Sequence, residues 1–294
     1  MLLRELEYVR PDSVDEAIAL LNVLPDAGIL AGGQSLVNVL KLRIGGYSTL
    51  VDISRLSELK AVQVAEAEIR IGAGVTYDEV IQSLEVGMAR PILPEVASRI
   101  ADPQVRNRGT VGGNCCYNDP TCHFPPMLTA LGAIFVVRGA DGTREVAAED
   151  FFVSYYQTAM EHGELLTAIR VPRQAPGQGD GFAPLSVGGT DVLNIITGAA
   201  TVQVSADGAI YELRVVVAGA SERPLRLKSV EKALEGTDGG AAALDAAFNT
   251  VDGAVFDPPD DVHASAEYRR AMAPVFARRA VDQALTNARR GFNE

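Results

Sequence analysis

The sequence predicts an α+β fold in which a larger region of strands and helices precedes a smaller α+β region. Three observations favour this division. Short apolar strand patterns are interspersed with amphipathic helix patterns over residues 13–171. The stretch from Pro172 to Gly181 contains no apolar residue larger than alanine or proline, which is typical of a linker. Beyond it, two strand patterns joined by Asp207-Gly208 indicate a hairpin, and three helix patterns follow.

The larger region begins with a helix that has a clear start signal. Ser13 is followed three residues later by Glu16, which predicts a capping box and a helix ending near Leu24-Pro25. A strand over 28–31 then leads through a glycine pair into a helix over 35–44. Further strands are predicted over 50–53, 69–73, 133–138, 165–171, 199–204 and 209–218. Further helices are predicted over 77–84, 94–100, 124–131, 229–234, 241–251 and 266–288.

Composition and charge exclude several classes of function. The 294 residues are 47% hydrophobic and 22% charged, as in ordinary globular proteins. The formal net charge of -12, without any run of Lys and Arg, argues against nucleic acid or an anionic membrane as a partner. No apolar run approaches the ~20 residues of a membrane helix, and MLLRELEYVR carries acids where a signal peptide would be apolar. We therefore expect a cytoplasmic protein without membrane insertion.

Two glycine-paired turns are the main candidates for a binding site. The sequence reads AGGQSL at 31–36 and GTVGGN at 109–114. A phosphate needs backbone N–H donors at close range, and paired glycines supply both the dihedral angles and the room. Neither turn matches a dinucleotide fingerprint or a P-loop. The pair indicates a diphosphate cofactor, although two tight turns without a ligand remain an alternative. Arg106 and Arg108 beside the second turn either neutralise such a diphosphate or lie on the surface.

Several motifs in a fixed order connect these turns to a known family. AGGQSL is followed by LKLR at 40–43, ADPQVRNRGTVGGN at 101–114, Asn118-Asp119-Pro120 and Pro125-Pro126. YVRP at 8–11, GELLTAIRVP at 163–172 and SAEYRR at 265–270 extend the pattern over almost the whole chain. Together they resemble the FAD-binding medium subunit of molybdenum hydroxylases. That family includes aerobic carbon monoxide dehydrogenase, and the same module forms the flavin domain of xanthine dehydrogenase.

The resemblance implies both a fold and a cofactor site. The fold is a two-subdomain FAD-binding domain of the vanillyl-alcohol-oxidase (PCMH) type over 1–175, with subdomains of about 1–55 and 56–175, and a smaller α+β domain over 182–294. By resemblance, Asp119 lies near the flavin's sugar chain and Lys41 faces the cofactor. The residues that would hold the FAD diphosphate are Ala31, Gly32, Gly33, Gln34, Ser35, Leu36, Thr110, Val111, Gly112, Gly113 and Asn114.

The resemblance also implies partners. In this family a large molybdopterin subunit oxidises the substrate, and a small subunit carries two [2Fe-2S] clusters. Electrons then pass to FAD and on to an external acceptor, in a dimer of heterotrimers. Because the redox chemistry belongs to the flavin, no residue of this chain is named as catalytic. Carbon monoxide, a purine alkaloid, a nicotine-type pyridine or an aldehyde are all compatible substrates, and dioxygen, NAD or a quinone are compatible acceptors.

One segment departs from the family pattern. Where a basic and then an acidic-aromatic pattern is common, residues 188–197 read GGTDVLNIIT. The register with Gly198-Ala199-Ala200 places Ile195 where an aromatic ring often covers the flavin. We therefore expect Ile195 to pack on the isoalloxazine as an aliphatic lid.

The sequence also bears on the state of the cysteines and leaves two other classes of function open. Cys115, Cys116 and Cys122 fit no disulfide framework, which favours a reducing compartment. With His123 they do not have zinc or ferredoxin spacing, so we expect buried or flavin-adjacent thiols and no metal. The alternatives are a free-standing flavoenzyme, for which the sequence offers no substrate base, and a cofactor-free assembly protein that has kept the fold.

Overall fold

The computed structural model describes residues 3–189 and 193–290 and contains three main β-sheets. The strands are β1 (Glu7–Val9), β2 (Ala27–Leu30), β3 (Thr49–Asp52), β4 (Val62–Val64), β5 (Glu68–Gly72), β6 (Ile134–Gly139), β7 (Gly142–Ala147), β8 (Phe152–Ser154), β9 (Gln157–Thr158), β10 (Leu165–Pro172), β11 (Gln178–Ser186), β12 (Asn194–Val204), β13 (Ile210–Ala218) and β14 (Leu225–Arg226). The α-helices are α1 (Val14–Val23), α2 (Leu36–Leu42), α3 (Tyr77–Gln82), α4 (Leu84–Ala89), α5 (Ile92–Ser98), α6 (Pro103–Arg106), α7 (Val111–Tyr117), α8 (Phe124–Leu131), α9 (Ala148–Phe151), α10 (Lys228–Leu234), α11 (Ala241–Phe248) and α12 (Ala266–Arg290).

The first sheet is small and parallel, in the order β1-β3-β2. Helix α1 packs on it through Val14, Ala17, Ile18 and Leu21, which are all buried. The Ser13 side chain accepts from the Glu16 amide, as the sequence predicts for the helix start. Because β2 runs directly into the first glycine turn, this sheet fixes the position of that turn.

The second sheet is antiparallel, in the order β4-β5-β10-β6-β7. Helix α8 covers it, and all eight residues of α8 are buried. The helix also packs against β12 and β13 of the third sheet. Phe182, Ala199 and Val216 of the third sheet therefore share one apolar core with the second sheet.

The third sheet is antiparallel, in the order β11-β12-β13-β14, and the long helix α12 lies across it. The glycines of the predicted linker belong partly to this sheet, because β11 begins at Gln178. A Cβ atom on Gly179 or Gly181 would lie 2.2 Å or 2.0 Å from carbonyl oxygens of α12. These glycines allow α12 to approach β11 closely. The glycine content that resembles a linker in the sequence therefore serves packing between a strand and a helix. Only residues 173–177 separate β10 from β11, and the domain limits at 175 and 182 stay a prediction.

This close approach leads to a stability prediction. Gly181→Ala is expected to lower the free energy of unfolding by about 1–3 kcal/mol, because its Cβ would meet the Ala280 carbonyl oxygen and force α12 away from β11. Denaturant unfolding followed by circular dichroism measures the change. Gly253→Ala is the matched control, since a Cβ there meets no atom within 4 Å. Equal stability of the two variants would contradict the packing described here.

A buried ion pair joins the connection between α4 and α5 to the third sheet. Arg90 follows α4 and donates two hydrogen bonds to the Asp180 carboxylate on β11, at 2.7 and 2.6 Å. The two side chains are 1% and 3% exposed. Arg90 also donates to the side chains of Gln178 and Thr201 and to the Pro172 carbonyl oxygen. The network fixes the chain on both sides of the short connection between β10 and β11.

Among the described residues, no helix is both long and apolar enough to cross a membrane.

Candidate functional site

The two glycine turns predicted from the sequence lie against each other in the structure. A Cβ atom on Gly32 would lie 2.1 Å from the Arg108 carbonyl oxygen and 2.9 Å from the Gly109 Cα atom. The backbones of the two turns are therefore in direct contact, which only glycine permits at this distance. The turn after β2 and the turn before α7 form one structure.

The first turn carries free hydrogen-bond donors. The backbone amides of residues 32–36 donate to no acceptor in the described part of the chain. Gly33 has a left-handed φ of +74°, which favours glycine at this position. Five successive amides without partners are rare in a folded chain and indicate that an anion or water accepts from them. This row of amides, residues 32–36, is called the amide row below.

The second turn has a different role, which the sequence does not reveal. Most of its amides already have protein acceptors, because Val111 donates to Val75 O and Gly112 donates to Ala73 O. The Gly113 amide donates to the Thr110 hydroxyl oxygen, which caps α7. A Cβ atom on Gly112 would lie 2.5 Å from Ala73 O. The second turn therefore supplies close packing, whereas the first supplies donors.

A cleft of about 670 Å³ opens along both turns. Of the residues singled out from the sequence, it is lined by Ala31, Gly32, Gly33, Gln34, Ser35, Leu36, Thr110, Gly112, Gly113 and Asn114. Sequence reasoning missed other lining residues, namely Tyr47, Tyr77, Tyr117, Tyr156, Met160, Leu165 and Leu166. The last two belong to the GELLTAIRVP motif, which was a usable signal. The tyrosines lie far apart in the chain and carry no local signal.

A second, polar cavity of about 340 Å³ shares residues 31–34 with the cleft. Lys41 and Arg108 both line it, and neither forms an ion pair or side-chain hydrogen bond with any residue of the described ranges. Arg106 is used structurally, because it donates to the carbonyl oxygens of Ile100 and Ala101. Two free cations beside the amide row favour a negatively charged ligand there.

Asp52, at the end of β3, is the carboxylate in this second cavity. Burial raises its pKa, but hydrogen bonds from Tyr8 and Ser54 outweigh burial and hold the pKa below its usual value. Asp52 therefore stays ionised at neutral pH and is already engaged in hydrogen bonds.

Four of the predicted site residues do not line the cleft, and one of these, Lys41, lines the adjoining second cavity instead. Val111 is fully buried beneath it. The Asp119 carboxylate accepts from the Thr121 amide and from the hydroxyl of Tyr156, and Tyr156 itself lines the cleft. Ile195 is 8% exposed within the core of the third sheet. The geometry thus gives no support to its expected role as a lid, and residues 190–192 of the atypical segment lie outside the described residues.

Asn114 is placed to contact a ligand in the cleft. Its Nδ2 atom donates to the Cys122 sulfur at 3.2 Å. Its Oδ1 atom is buried and accepts from no described residue. A buried acceptor without a donor is costly, so a donor from a bound molecule would remove that cost.

The three thiols are free and lie in or beside the cleft. Cys115 is fully buried, while Cys116 lines the cleft and donates to the Met160 sulfur at 3.6 Å. Burial raises the pKa of all three thiols, to about 12 for Cys116. At neutral pH they are therefore protonated and poor nucleophiles. The described residues contain no group of three or more His, Cys, Asp or Glu side chains that could hold a metal ion.

Comparison with known proteins identifies the ligand. Residues 4–174 match the family model described as "FAD binding domain in molybdopterin dehydrogenase". This chain belongs to that family. Residues 189–284 match the "CO dehydrogenase flavoprotein C-terminal domain". The family assignment and the mixed fold implied by the sequence motifs are therefore confirmed.

Individual relatives match almost the whole length of the chain. The carbon monoxide dehydrogenase medium chain of Afipia carboxidovorans is 36% identical over 98% of this chain and 100% of its own. The nicotine 6-hydroxylase medium subunit of Paenarthrobacter nicotinovorans is 30% identical over 97% of this chain and 99% of its own. A structure of carbon monoxide dehydrogenase from Hydrogenophaga pseudoflava superimposes with a TM-score of 0.93 at 36% identity, over 97% of this chain and 99% of that chain.

The residues of the cleft and of the adjoining second cavity fit FAD, the cofactor of this family. The amide row and the free cations Lys41 and Arg108 suit a diphosphate. The buried Asn114 Oδ1 atom suits a donor group of the bound molecule. Because Gly32 has no Cβ atom, the two turns can lie in contact with each other beside the cleft.

Proposed function

We propose that this chain is the FAD-carrying electron-transfer subunit of a heterotrimeric molybdenum hydroxylase. Its partners would be a large molybdopterin subunit and a small subunit with two [2Fe-2S] clusters, and two such trimers would pair. The observation that carries the proposal is the match over 98% of this chain and 100% of a carbon monoxide dehydrogenase medium chain. Neither a free-standing enzyme nor an assembly protein would be expected to match such a subunit over almost its whole sequence.

The residues of this chain would bind and position the cofactor. The amide row would donate to the FAD diphosphate, and Lys41 and Arg108 would balance its charge. The second turn would hold the first in place through the contact at Gly32. Asn114 would accept from the bound molecule through Oδ1. When bound, FAD supplies the redox chemistry that links the partner subunits to an external acceptor.

The test uses the complex from its native source, purified through a tag on this chain. The expected result is co-purification of FAD, molybdenum and iron in fixed proportions with two further subunits. Purification of the chain with FAD but without iron and molybdenum would contradict the electron-transfer role.

A variant complex separates the cofactor's role from assembly. With Gly32→Ala in this chain, the substrate should still reduce the iron–sulfur clusters, while reduction of the acceptor should be lost. Trying carbon monoxide, a nicotine-type pyridine, a purine alkaloid and an aldehyde in turn identifies the substrate class. Gly46→Ala is the control, because a Cβ at Gly46 meets no atom within 4 Å. Acceptor reduction at the wild-type rate by a flavin-free complex would overturn the proposal.

A further inference from the structure

Tyr156 lies on the wall of the cleft in an unusual backbone conformation. Its φ of +57° falls in the left-handed region, which residues with a side chain rarely adopt. Such strained residues persist only where the surrounding structure holds them, and they cluster at functional sites. The contacts that hold Tyr156 therefore indicate what the strain achieves.

The turn between β8 and β9 is attached to the end of α7. The Tyr156 amide donates to Asn118 O at 3.1 Å. Asn118 is itself left-handed, with φ of +46°, and its side chain donates to Ser154 O and Gln157 O at 2.7 and 2.9 Å. The helix that begins in the second glycine turn thus also fixes the position of Tyr156 at its other end.

The Tyr156 ring is held in place although it is only partly buried. Its hydroxyl donates to the Asp119 carboxylate at 3.0 Å, and its ring meets the Tyr117 ring edge-on at 5.2 Å. Both rings line the cleft, yet the Tyr156 side chain is 57% exposed. If the strain served only to pack the turn, the protein itself would cover this ring.

We propose that Tyr156 packs against an aromatic ring system of the FAD bound in the cleft, with Asp119 and Tyr117 holding it in position. This proposal rests on the FAD binding that the proposed function includes. It assigns packing against the flavin cofactor to Tyr156, whereas the sequence suggested Ile195. Aromatic rings stack favourably on planar aromatic ligands, and a ring that is already oriented loses little freedom on binding. Partial burial and the neighbouring Asp119 carboxylate both raise the pKa of Tyr156, so its hydroxyl is protonated at neutral pH and can donate to Asp119.

The test measures FAD affinity of the full chain after removal of its flavin. Tyr156→Asn removes the ring, but asparagine tolerates left-handed dihedral angles. We expect its Kd for FAD to rise about tenfold, with no fall in the melting temperature of the flavin-free protein. Tyr156→Phe keeps the ring and should stay within about threefold of wild type. Tyr211→Asn is the matched control, because Tyr211 is 58% exposed on β13 and should not affect binding.

Two further ligands tell which ring Tyr156 contacts. A Tyr156→Asn loss for FMN but not for ADP assigns the contact to the isoalloxazine, and the reverse assigns it to the adenine. Unchanged FAD affinity in Tyr156→Asn, or a loss accompanied by a lower melting temperature of the flavin-free protein, would overturn the proposal. Failure of the wild-type chain itself to bind FAD would instead contradict the proposed function.

Discussion

Gly32→Ala is expected to remove FAD from the protein while leaving its sheets intact. The added Cβ would lie 2.1 Å from the Arg108 carbonyl oxygen and 2.8 Å from the Arg108 carbonyl carbon. Both are backbone atoms, so no flexible side chain can give way. The first turn must therefore move away from the second, and the amide row loses its alignment on the diphosphate.

We expect the affinity for FAD to fall at least about 100-fold, equivalent to about 2.7 kcal/mol. Flavin absorbance of the purified protein and titration of the flavin-free protein measure the loss, and circular dichroism checks the fold. Gly46→Ala changes the same residue type at an open position nearby and should bind FAD like wild type. A Gly32→Ala protein with full flavin content would show that the contact between the turns does not matter for binding.

Arg90→Met is expected to give the largest loss of stability. Arg90 and Asp180 are almost completely buried and form two hydrogen bonds with each other. Removing the cation leaves the Asp180 carboxylate charged in the interior, which costs about 3–5 kcal/mol. Chemical denaturation should show this loss as a lower free energy of unfolding.

A double variant distinguishes a buried charge from simple loss of packing. Arg90→Met combined with Asp180→Leu replaces the pair with apolar side chains and should recover most of the lost stability. Arg173→Met, on the exposed connection between β10 and β11, is the control and should change stability by less than about 0.5 kcal/mol. Equal stability of the single and double variants would mean that the charge of Asp180 is not the cause.

Local signals predicted much of the fold. The helix starting after Ser13, the hairpin around Asp207-Gly208 and the long C-terminal helix all appear close to their expected limits. Each is encoded within a short stretch, by a cap, a turn or an apolar periodicity. The two glycine turns were also recognised, because their composition is unusual and the family motifs surround them.

Features that depend on distant residues could not be predicted. Gly179 and Gly181 read as a linker because only α12, about 100 residues later, explains why a strand needs glycine there. The difference between the two turns depends on Ala73 and Val75, which accept the amides of the second turn. Tyr156 reaches the cleft only because Asn118 holds its turn. Such pairings arise in the folded state and have no counterpart in local sequence.

The amide row has a practical consequence for mapping this site. Main-chain N–H groups survive every side-chain replacement, so an alanine scan of Gln34, Ser35 and Leu36 would leave these donors in place. Such a scan would rank the segment as unimportant. Amide-to-ester exchange at these positions, introduced by semisynthesis, deletes one donor at a time and would reveal how the attraction for the cofactor is distributed along the backbone.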